Sequence, residues 1–311
     1  MTSSTVGALV GPRLKDALLE RGILKLTSVE GLYQRSAVFE SIIRGFEAVI
    51  HQAGIDHGGY EPLVHLAPIT PRDTFVRTDY LRSFPDLLGS VDVFHGGDAE
   101  HAELLRVAEE GGDWSRLLEP SEVAMSSAAC HTLYPEFSGT LPEGGRRVEL
   151  QGYCFRHEPS PDPVRMQSFR MHEFLHVGTE ESALEHRETW VPRAIALLTD
   201  LGLPVEQVVA NDPFFGRAGR LLARNQRDET LKWELVVPVS SAENPTAIAS
   251  ANYHLDHFSE PFGITTADGR EAHSTCTAFG LERTALALLA THGIDPELWP
   301  SEVRDRLWPP H

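Results

Sequence analysis

The chain has 311 residues, 41% of them hydrophobic and 8% aromatic, a composition that is ordinary for a globular protein and excludes a largely disordered one. A formal net charge of -18 argues against a broad electrostatic grip on nucleic acid, because such binding depends on neutralising phosphates with Lys and Arg. Three cysteines and no leader-like apolar segment at the N-terminus predict a reducing, cytoplasmic location, and the lack of an apolar run of about 18 residues predicts no membrane span.

The first part of the chain predicts two helices and an edge strand. Residues 12–24 are predicted to form a short amphipathic helix within an N-terminal appendage of residues 1–30. Between residues 32 and 50 apolar side chains recur at intervals of three and four, which predicts a helix with one buried stripe that ends at Gly54. Residues 60–69 contain two prolines and are predicted as an edge segment, because proline cannot donate within a central ladder.

The middle of the chain predicts irregular structure and a surface insertion. Residues 78–93 are interpreted as strand and turn material. Residues 95–119 have a helical stretch between two Gly-Gly pairs and are interpreted as a helical surface insertion. A loop over residues 139–145 then leads into the next strand.

The last third predicts two helices and several strands. A helix over residues 183–201 is stopped by a glycine and a proline. Residues 231–239 and 246–258 are predicted strands, and residues 275–290 join the end of a strand to a helix.

Residues 152–178 predict two antiparallel strands around a Pro/Asp/Ser loop at 159–163. Alternation along each strand places six side chains on one face, namely Cys154, Arg156, Glu158, Phe169, Met171 and Glu173. A guanidinium, carboxylates and an aromatic ring on one face suit phosphate, amine and adenine recognition in ATP. The alternative is a half-exposed hairpin with surface ion pairs.

The same hairpin resembles motif 2 of the class II aminoacyl-tRNA synthetases. Residues 155–158 (FRHE) and 165–169 (RMQSF) match the motif's FRxE, loop, (R/H)xxxF pattern. Residues 280–283 (GLER) resemble motif 3, whose arginine holds ATP. A long helix followed by a strand with Pro68 resembles motif 1, which forms the dimer interface in this class; a plain helix and edge strand is the alternative there.

Within this class the chain, from about residue 32 to 289, resembles the amino acid:[carrier protein] ligases, truncated relatives of the atypical, zinc-dependent seryl-tRNA synthetases. The resemblance implies an α+β fold, with an antiparallel sheet of six or seven strands flanked by helices, in a homodimeric single catalytic domain without a tRNA-binding domain. It implies that the enzyme uses ATP and Mg2+ to convert glycine, alanine or serine to an aminoacyl-AMP. The aminoacyl group would then pass to the phosphopantetheine thiol of an acidic carrier protein.

The resemblance also assigns roles to the motif residues. Arg156 and Arg283 are expected to be catalytic, because they would stabilise charge on the phosphates. ATP binding is expected to involve these two arginines together with Glu158, Arg165 and Phe169.

In the resembled family a catalytic zinc (Zn2+) is held by two cysteines and a glutamate, and the matching positions are Cys130, Glu173 and Cys276. Three protein ligands leave one tetrahedral position open, which is typical of catalytic zinc. The alternative is that both cysteines are small buried hydrophobes, as free cysteines usually are. Cys154 is a third candidate ligand, but it directly precedes Phe155 in the first strand of the predicted hairpin and is expected to pack there instead.

A competing pattern overlaps this set, because residues 172–176 (HEFLH) satisfy the HExxH signature of zinc peptidases. On a helix, Cβ atoms four residues apart are about 5 to 6 Å apart and can share a metal. On a strand they are roughly 13 Å apart and cannot. The flanking residues favour a strand, in which His172 and His176 lie on the opposite face from Glu173 and are packed or bonded to solvent.

Further substrate contacts follow from resemblance to the seryl-type enzymes. Glu234 resembles their strand glutamate near the substrate, with an outward-pointing strand charge as the alternative. Ser250 and Asn252 resemble their Ser/Asn pattern, although the acidic residue expected a few positions earlier is absent at residues 246–248.

An arginine stripe stands out in this acidic chain. Arg217, Arg220, Arg224 and Arg227 are spaced so that they share one helical face. We expect the first three to dock the acidic carrier, and a solvated charged face is the alternative.

An alternative function is that of a truncated seryl-type enzyme that acts on tRNA. The net charge and the missing RNA-binding domain count against it.

Overall fold

The structure is a computed structural model that describes residues 9–210 and 230–310. Its α-helices are α1 (Pro12–Glu20), α2 (Ala37–His57), α3 (Arg72–Arg77), α4 (Tyr80–Ser83), α5 (Asp98–Glu109), α6 (Glu180–Asp200), α7 (Ser259–Phe262), α8 (Leu281–His292) and α9 (Ser301–Leu307). Its strands are β1 (Leu24–Leu26), β2 (Tyr33–Arg35), β3 (Glu61–Leu66), β4 (Ile69–Pro71), β5 (Ser90–Val93), β6 (Glu119–Met125), β7 (Gly139–Thr140), β8 (Arg146–Phe155), β9 (Ser168–Gly178), β10 (Glu206–Val209), β11 (Lys232–Val237), β12 (Thr246–Leu255), β13 (Ile264–Thr265) and β14 (His273–Gly280).

The predicted α+β fold is confirmed. A seven-stranded sheet with the order β10-β11-β12-β14-β9-β8-β3 is flanked by helices. Neighbouring strands run antiparallel except at one edge, where β3 pairs with β8 in parallel. The edge position of β3 agrees with its proline content, and its direction corrects the expectation of a fully antiparallel sheet. A long connection, rather than a hairpin, joins β3 to β8 and permits the parallel pairing.

The two faces of the sheet pack against different partners. On one face a large apolar core joins the sheet to α2, α6 and α8 and includes fully buried Phe46, Phe174 and Trp190. On the other face a second core contains Cys130, which begins the 3-10 helix Cys130–Phe137, together with Cys276 of β14. This division follows from strand alternation, since consecutive side chains point to opposite faces.

Helix α2 is longer than predicted. It begins with a Ser36 cap, whose side chain accepts a hydrogen bond from the Phe39 N–H, and it runs past Gly54 to His57. Gly54 therefore does not end the helix. A Cβ there would lie 2.5 Å from Phe174 Cε1, so this glycine lets the helix approach the sheet.

The prediction for residues 78–93 was partly wrong. Only Ser90–Val93 forms a strand, which pairs with β6, while the preceding residues form α4 and the 3-10 helix Pro85–Leu87. Aromatic packing accounts for the helical turns, because Tyr80 lies 5.2 Å from Phe75 and 4.8 Å from Phe84 between ring centroids.

The predicted insertion contains the expected helix, α5. Predicted helices and strands in the last third also occur, with ends shifted by a few residues. Among the described helices, none combines the length and apolarity needed to cross a membrane.

Candidate active site

A cleft opens where the central strands meet the start of α8. Arg156, Phe169 and Met171 line it from the predicted hairpin, and Arg283 lines it from α8. The prediction that alternation places the hairpin side chains on one face is therefore confirmed for these three. We call this space the central cleft.

Arg156 and Phe169 are neighbours in the cleft. The Arg156 guanidinium carbon lies 5.4 Å from the Phe169 ring centroid, and its Nε donates to the Ser127 carbonyl oxygen at 3.2 Å. Ser127 lies in a run of four small residues (126–129, SSAA) before Cys130, which lets the backbone come close to the cleft. Arg156 is thus held by backbone and ring, with its charge beside an aromatic face.

Arg283 is fixed by two backbone carbonyls. Its Nε donates to Val164 at 2.8 Å and its Nη1 donates to Ala247 at 3.1 Å. Burial, followed by the nearby charges of Arg156 and Arg165, lowers the pKa of Arg283 to about 10. Cations that destabilise one another in this way favour an anionic ligand, since it would offset their repulsion.

Glu158 and Arg165 lie outside the cleft lining. Arg165 Nη1 is 3.4 Å from Glu158 Oε1, and the Arg165 side chain is 55% exposed. The two predicted ATP residues thus pair with each other at the surface.

An ion-pair network that the sequence did not reveal joins motif 2 to motif 3. Arg170 on β9 donates to Glu282 through Nε at 2.8 Å and through its backbone N–H at 2.6 Å. Arg35 Nη1 donates to the same Glu282 at 2.8 Å, and Glu40 binds both arginines at 2.9 Å. The Glu282 side chain is only 2% exposed, so this network fixes the start of α8 next to Arg283. Its only sequence signal was Glu282 within GLER, because the partners are distant along the chain.

The proposed metal ligands come together from three separate elements. Cys130, Glu173 and Cys276 are all buried, and one ligand atom from each lies within 4.8 Å of the others. Glu173 lies on β9 opposite Ala278 of β14, two residues beyond Cys276 on the same face.

The chemistry of this group fits zinc. Two sulfurs on one tetrahedral zinc are about 3.8 Å apart when each Zn–S bond is about 2.3 Å, so only small side-chain movements are needed. Glu173 Oε2 is buried and has no hydrogen-bond partner within the described structure. Burial raises the pKa of Glu173 to about 8, which marks a carboxylate whose charge lacks compensation. A cation bound here would satisfy that oxygen and both sulfurs.

Cys154 does not belong to this group. It is 1% exposed within the second apolar core, and burial raises the pKa of its thiol to about 12. This agrees with the expectation that it packs in the strand.

The HExxH alternative is wrong, because residues 172–176 lie in strand β9 rather than in a helix. His172 Nε2 donates to Glu149 Oε1 at 2.7 Å. His176 Nδ1 donates to the Arg146 carbonyl at 3.1 Å, and Nε2 accepts from the Ser182 hydroxyl at 2.8 Å. Both histidines are 0% exposed on the opposite face from Glu173, so they are packed rather than bonded to solvent.

The candidate substrate residues connect the central cleft to the proposed metal ligands Cys130, Glu173 and Cys276. Glu234 and Ser250 face each other in the β11–β12 register, and both line the cleft. Glu234 Oε1 lies 3.3 Å from Lys232 Nζ. Asn252 Nδ2 donates to Ser250 Oγ at 3.2 Å and to Cys276 Sγ at 3.5 Å. The predicted carrier-docking residues Arg217, Arg220 and Arg224 lie outside the described residues.

Comparison with known proteins identifies the family. No family model matches the chain. Amino acid–[acyl-carrier-protein] ligase 1 of Bradyrhizobium diazoefficiens is 42% identical over 280 residues, which cover 89% of this chain and 85% of that protein. The chain belongs to the amino acid–[acyl-carrier-protein] ligases. Ligase 2 of the same organism is also 42% identical, over 89% of this chain and 83% of its own length. The protein is therefore an enzyme of the ligase class.

More distant relatives place this ligase fold among the class II synthetases. The type-2 serine–tRNA ligase of Methanopyrus kandleri is 25% identical over 80% of this chain and 51% of its own length. A crystal structure of M. kandleri SerRS with A. aeolicus tRNASec superposes with a TM-score of 0.81 at 21% identity. The alignment covers 98% of this chain and 62% of that one. Seryl-tRNA synthetase from Pyrococcus horikoshii, complexed with ATP, gives a TM-score of 0.67.

Proposed function

We propose that this ligase activates a small amino acid with ATP and transfers it to the phosphopantetheine thiol of a carrier protein. The proposal depends mainly on one observation: a cleft suited to ATP is connected by hydrogen bonds to a buried group suited to zinc. Arg156, Phe169 and Arg283 supply a cationic and aromatic cleft, and hydrogen bonds through Ser250 and Asn252 lead from it to the buried Cys130, Glu173 and Cys276 group.

The cleft residues are assigned to ATP. Adenine would stack on Phe169. Glu158 and Arg165 lie outside the cleft lining and pair with each other, so they would have to turn toward ATP for Glu158 to accept from its amine and Arg165 to help hold the phosphates. Arg156 and Arg283 would meet the α-phosphate, where charge develops. Backbone and ring contacts hold both arginines in place, so little reorganisation is needed when the substrate binds. Mg2+ would enter with the phosphates rather than in a protein cage.

The reaction consists of two transfers. An oxygen of the amino acid carboxylate attacks the α-phosphorus, the bond to pyrophosphate breaks, and aminoacyl-AMP forms. The carrier thiol then loses its proton, its sulfur attacks the acyl carbon, and AMP leaves with the bonding electrons. The protein supplies position and electrostatic stabilisation in both steps.

We assign the three proposed metal ligands to binding the amino group of the amino acid substrate. Cys130, Glu173 and Cys276 would hold zinc, which when bound would take the neutral amino group as its fourth ligand. Ser250 and Ala278 line the adjacent cleft, and their small side chains leave room near the ligands for a short amino acid such as glycine, alanine or serine.

The first test is ATP–pyrophosphate exchange with a panel of amino acids. We expect exchange that depends on glycine, alanine or serine and is absent with large side chains. Failure of the whole panel to support exchange would overturn the assignment.

Metal analysis tests the ligand set separately. Cys276→Ala should lose both zinc and exchange, whereas the matched control Cys154→Ala should keep its zinc. Zinc retained in Cys276→Ala would show that the ligand assignment is wrong.

Acceptor specificity separates the carrier from tRNA. We expect acylation of a holo carrier protein and none of tRNA; the reverse result would favour the synthetase alternative.

We also propose that Arg217, Arg220 and Arg224 dock the carrier, a role based on the sequence alone. The exposed insertion helix α5 is a poor alternative, since it carries four carboxylates and one arginine. Reversing Arg220 and Arg224 to Glu should slow transfer at low salt and leave exchange unchanged, because rim charges act mainly on association rate.

A homodimer is part of the same proposal. Helix α2 and edge strand β3, followed by Pro68, match the elements of motif 1, and we propose that they form the dimer interface. Light scattering during size exclusion should give twice the chain mass of 34.4 kDa; the mass of a single chain would contradict the dimer.

A further inference from the structure

The imidazole of His254 contacts one of the three proposed metal ligands. Its Nε2 lies 3.7 Å from Cys276 Sγ, and the Asn252 amide lies 3.5 Å from the same sulfur. Two nitrogen groups of β12 therefore face a single thiol. Since His254 is not part of the three-residue ligand group, its effect on a metal would pass through Cys276.

A β-bulge places His254 at this position. Asn252 pairs with Cys276 in the β12–β14 register, but Leu255 rather than His254 pairs with Ser274. His254 is thus an extra residue outside the regular ladder, and bulges commonly redirect a side chain next to an active site. Leu255 has a φ of 55°, a left-handed conformation that is strained for a non-glycine residue. The surrounding contacts maintain this local strain.

Two buried hydroxyls bind the other ring nitrogen. His254 Nδ1 lies 3.1 Å from Ser274 Oγ and 3.2 Å from the Tyr134 hydroxyl, and these two oxygens are 3.1 Å apart. Ser274 and Tyr134 are 0% exposed, and the Tyr134 ring stacks on Phe258 at 4.2 Å between centroids. When a hydroxyl donates to Nδ1, a neutral imidazole carries its proton on Nε2. That proton then faces Cys276.

We propose that His254 is a positioning residue for metal binding, which donates from Nε2 to the thiolate of Cys276 and holds that sulfur toward the metal. A metal-bound thiolate can only accept, so the Nε2–H tautomer is the one that matches it. Outer groups that hydrogen-bond to metal ligands orient them and tune their donor strength. This inference rests on the proposed zinc site.

The test is zinc affinity of the full chain, measured by competition with a chelator of known affinity at one fixed pH. His254→Ala should weaken zinc binding by about 10- to 100-fold, the usual effect of losing an outer-shell partner. His254→Gln keeps an amide donor near the same position and should recover most of the affinity. The matched control is His273→Ala, because His273 bonds to Tyr253 and to none of the three ligands.

Cobalt substitution gives a second readout that overall stability would not change. Loss of a hydrogen bond to the thiolate raises the energy of its electrons, so the sulfur-to-cobalt charge-transfer band should move to longer wavelength in His254→Ala. The band should stay in place in His254→Gln and His273→Ala. Circular dichroism of each variant checks that the fold is retained.

The outcomes separate this inference from the proposed function. If Cys276→Ala abolishes zinc binding while His254→Ala binds as tightly as the parent, the positioning role is wrong and the zinc site stands. Equal weakening in His254→Ala and His254→Gln, with an unshifted cobalt band in both, also overturns the role. A parent protein that binds no zinc overturns both proposals together.

Discussion

Replacing His176 with asparagine should reduce the loss of stability in mild acid. Burial, with a further contribution from Arg147, lowers the pKa of His176 from its ordinary value of about 6.5 to about 4. The unfolded chain therefore takes up a proton at this position as the pH falls below about 6.5, and the folded protein does not. Stability is fully present when the ring is neutral in both states and is lost as pH falls from 6.5 toward 4.

The magnitude follows from the same two values. Each pKa unit corresponds to about 1.36 kcal/mol, so lowering the pKa from about 6.5 to about 4 has a full effect of about 3 kcal/mol. Between pH 7.5 and pH 5 the linkage relation gives a loss of about 2 kcal/mol from this residue. Asparagine cannot titrate, but its amide can still donate to the Arg146 carbonyl that His176 Nδ1 binds at 3.1 Å.

The assay is urea unfolding of parent and His176→Asn at pH 7.5 and pH 5. The parent should lose about 2 kcal/mol more than the variant between these two values. The other titrating groups are common to both proteins, and the neighbouring His186 keeps a lowered pKa in the variant because burial is its main cause and His176 a lesser one. Exposed His101→Asn is the control and should behave like the parent. Identical losses in parent and His176→Asn would refute the argument. Zinc content should be unchanged in His176→Asn, because the residue lies on the opposite face from Glu173.

Three further predictions concern the fixed parts of the site. Arg283→Ala and Arg156→Ala should each reduce pyrophosphate exchange by roughly 10²-fold or more with zinc retained, and full exchange in either variant would contradict their roles. Glu282→Ala removes the buried partner of the half-buried Arg170, which keeps Glu40, and should lower the free energy of unfolding by about 3 kcal/mol in urea. A change within about 0.5 kcal/mol would show that the network is not stabilising. Gly54→Ala places a Cβ 2.5 Å from Phe174 Cε1 and should cost about 1 to 3 kcal/mol in thermal unfolding, whereas an unchanged midpoint would mean that the helix moves freely.

The sequence predicted the parts of the site that depend on strand alternation. Arg156 and Phe169 were assigned to one face by their period of two, and they line one cleft. The same rule separated Glu173 from His172 and His176, because neighbours on a strand point in opposite directions. Cys130 and Cys276 came from resemblance, since ligands on distant elements leave no local pattern.

Contacts between distant segments could not be predicted. Gly54 was interpreted as a helix end from its residue type, yet its role depends on the approach of Phe174, which is 120 residues further along the chain. The pairing of Arg35 with Glu282 spans 247 residues, and no period in either segment indicates the other. The bulge at His254 contains no glycine or proline that would signal it, so the sequence pattern predicts a continuous strand there.

Strand β9 explains why the proposed metal ligand Glu173 and the buried His172 and His176 can share five consecutive residues without interfering. Its register is fixed on both sides, over ten paired positions with β8 and eight with β14. A slip of one residue would exchange its faces, placing His172 or Phe174 where Glu173 meets the cysteines. Such a slip would also expose His176 and Phe174 to the face that carries the cleft and would break the bond from His172 to Glu149. The buried polar contacts on the helix-packed face therefore oppose the slip, and in doing so they hold Glu173 in position on the other.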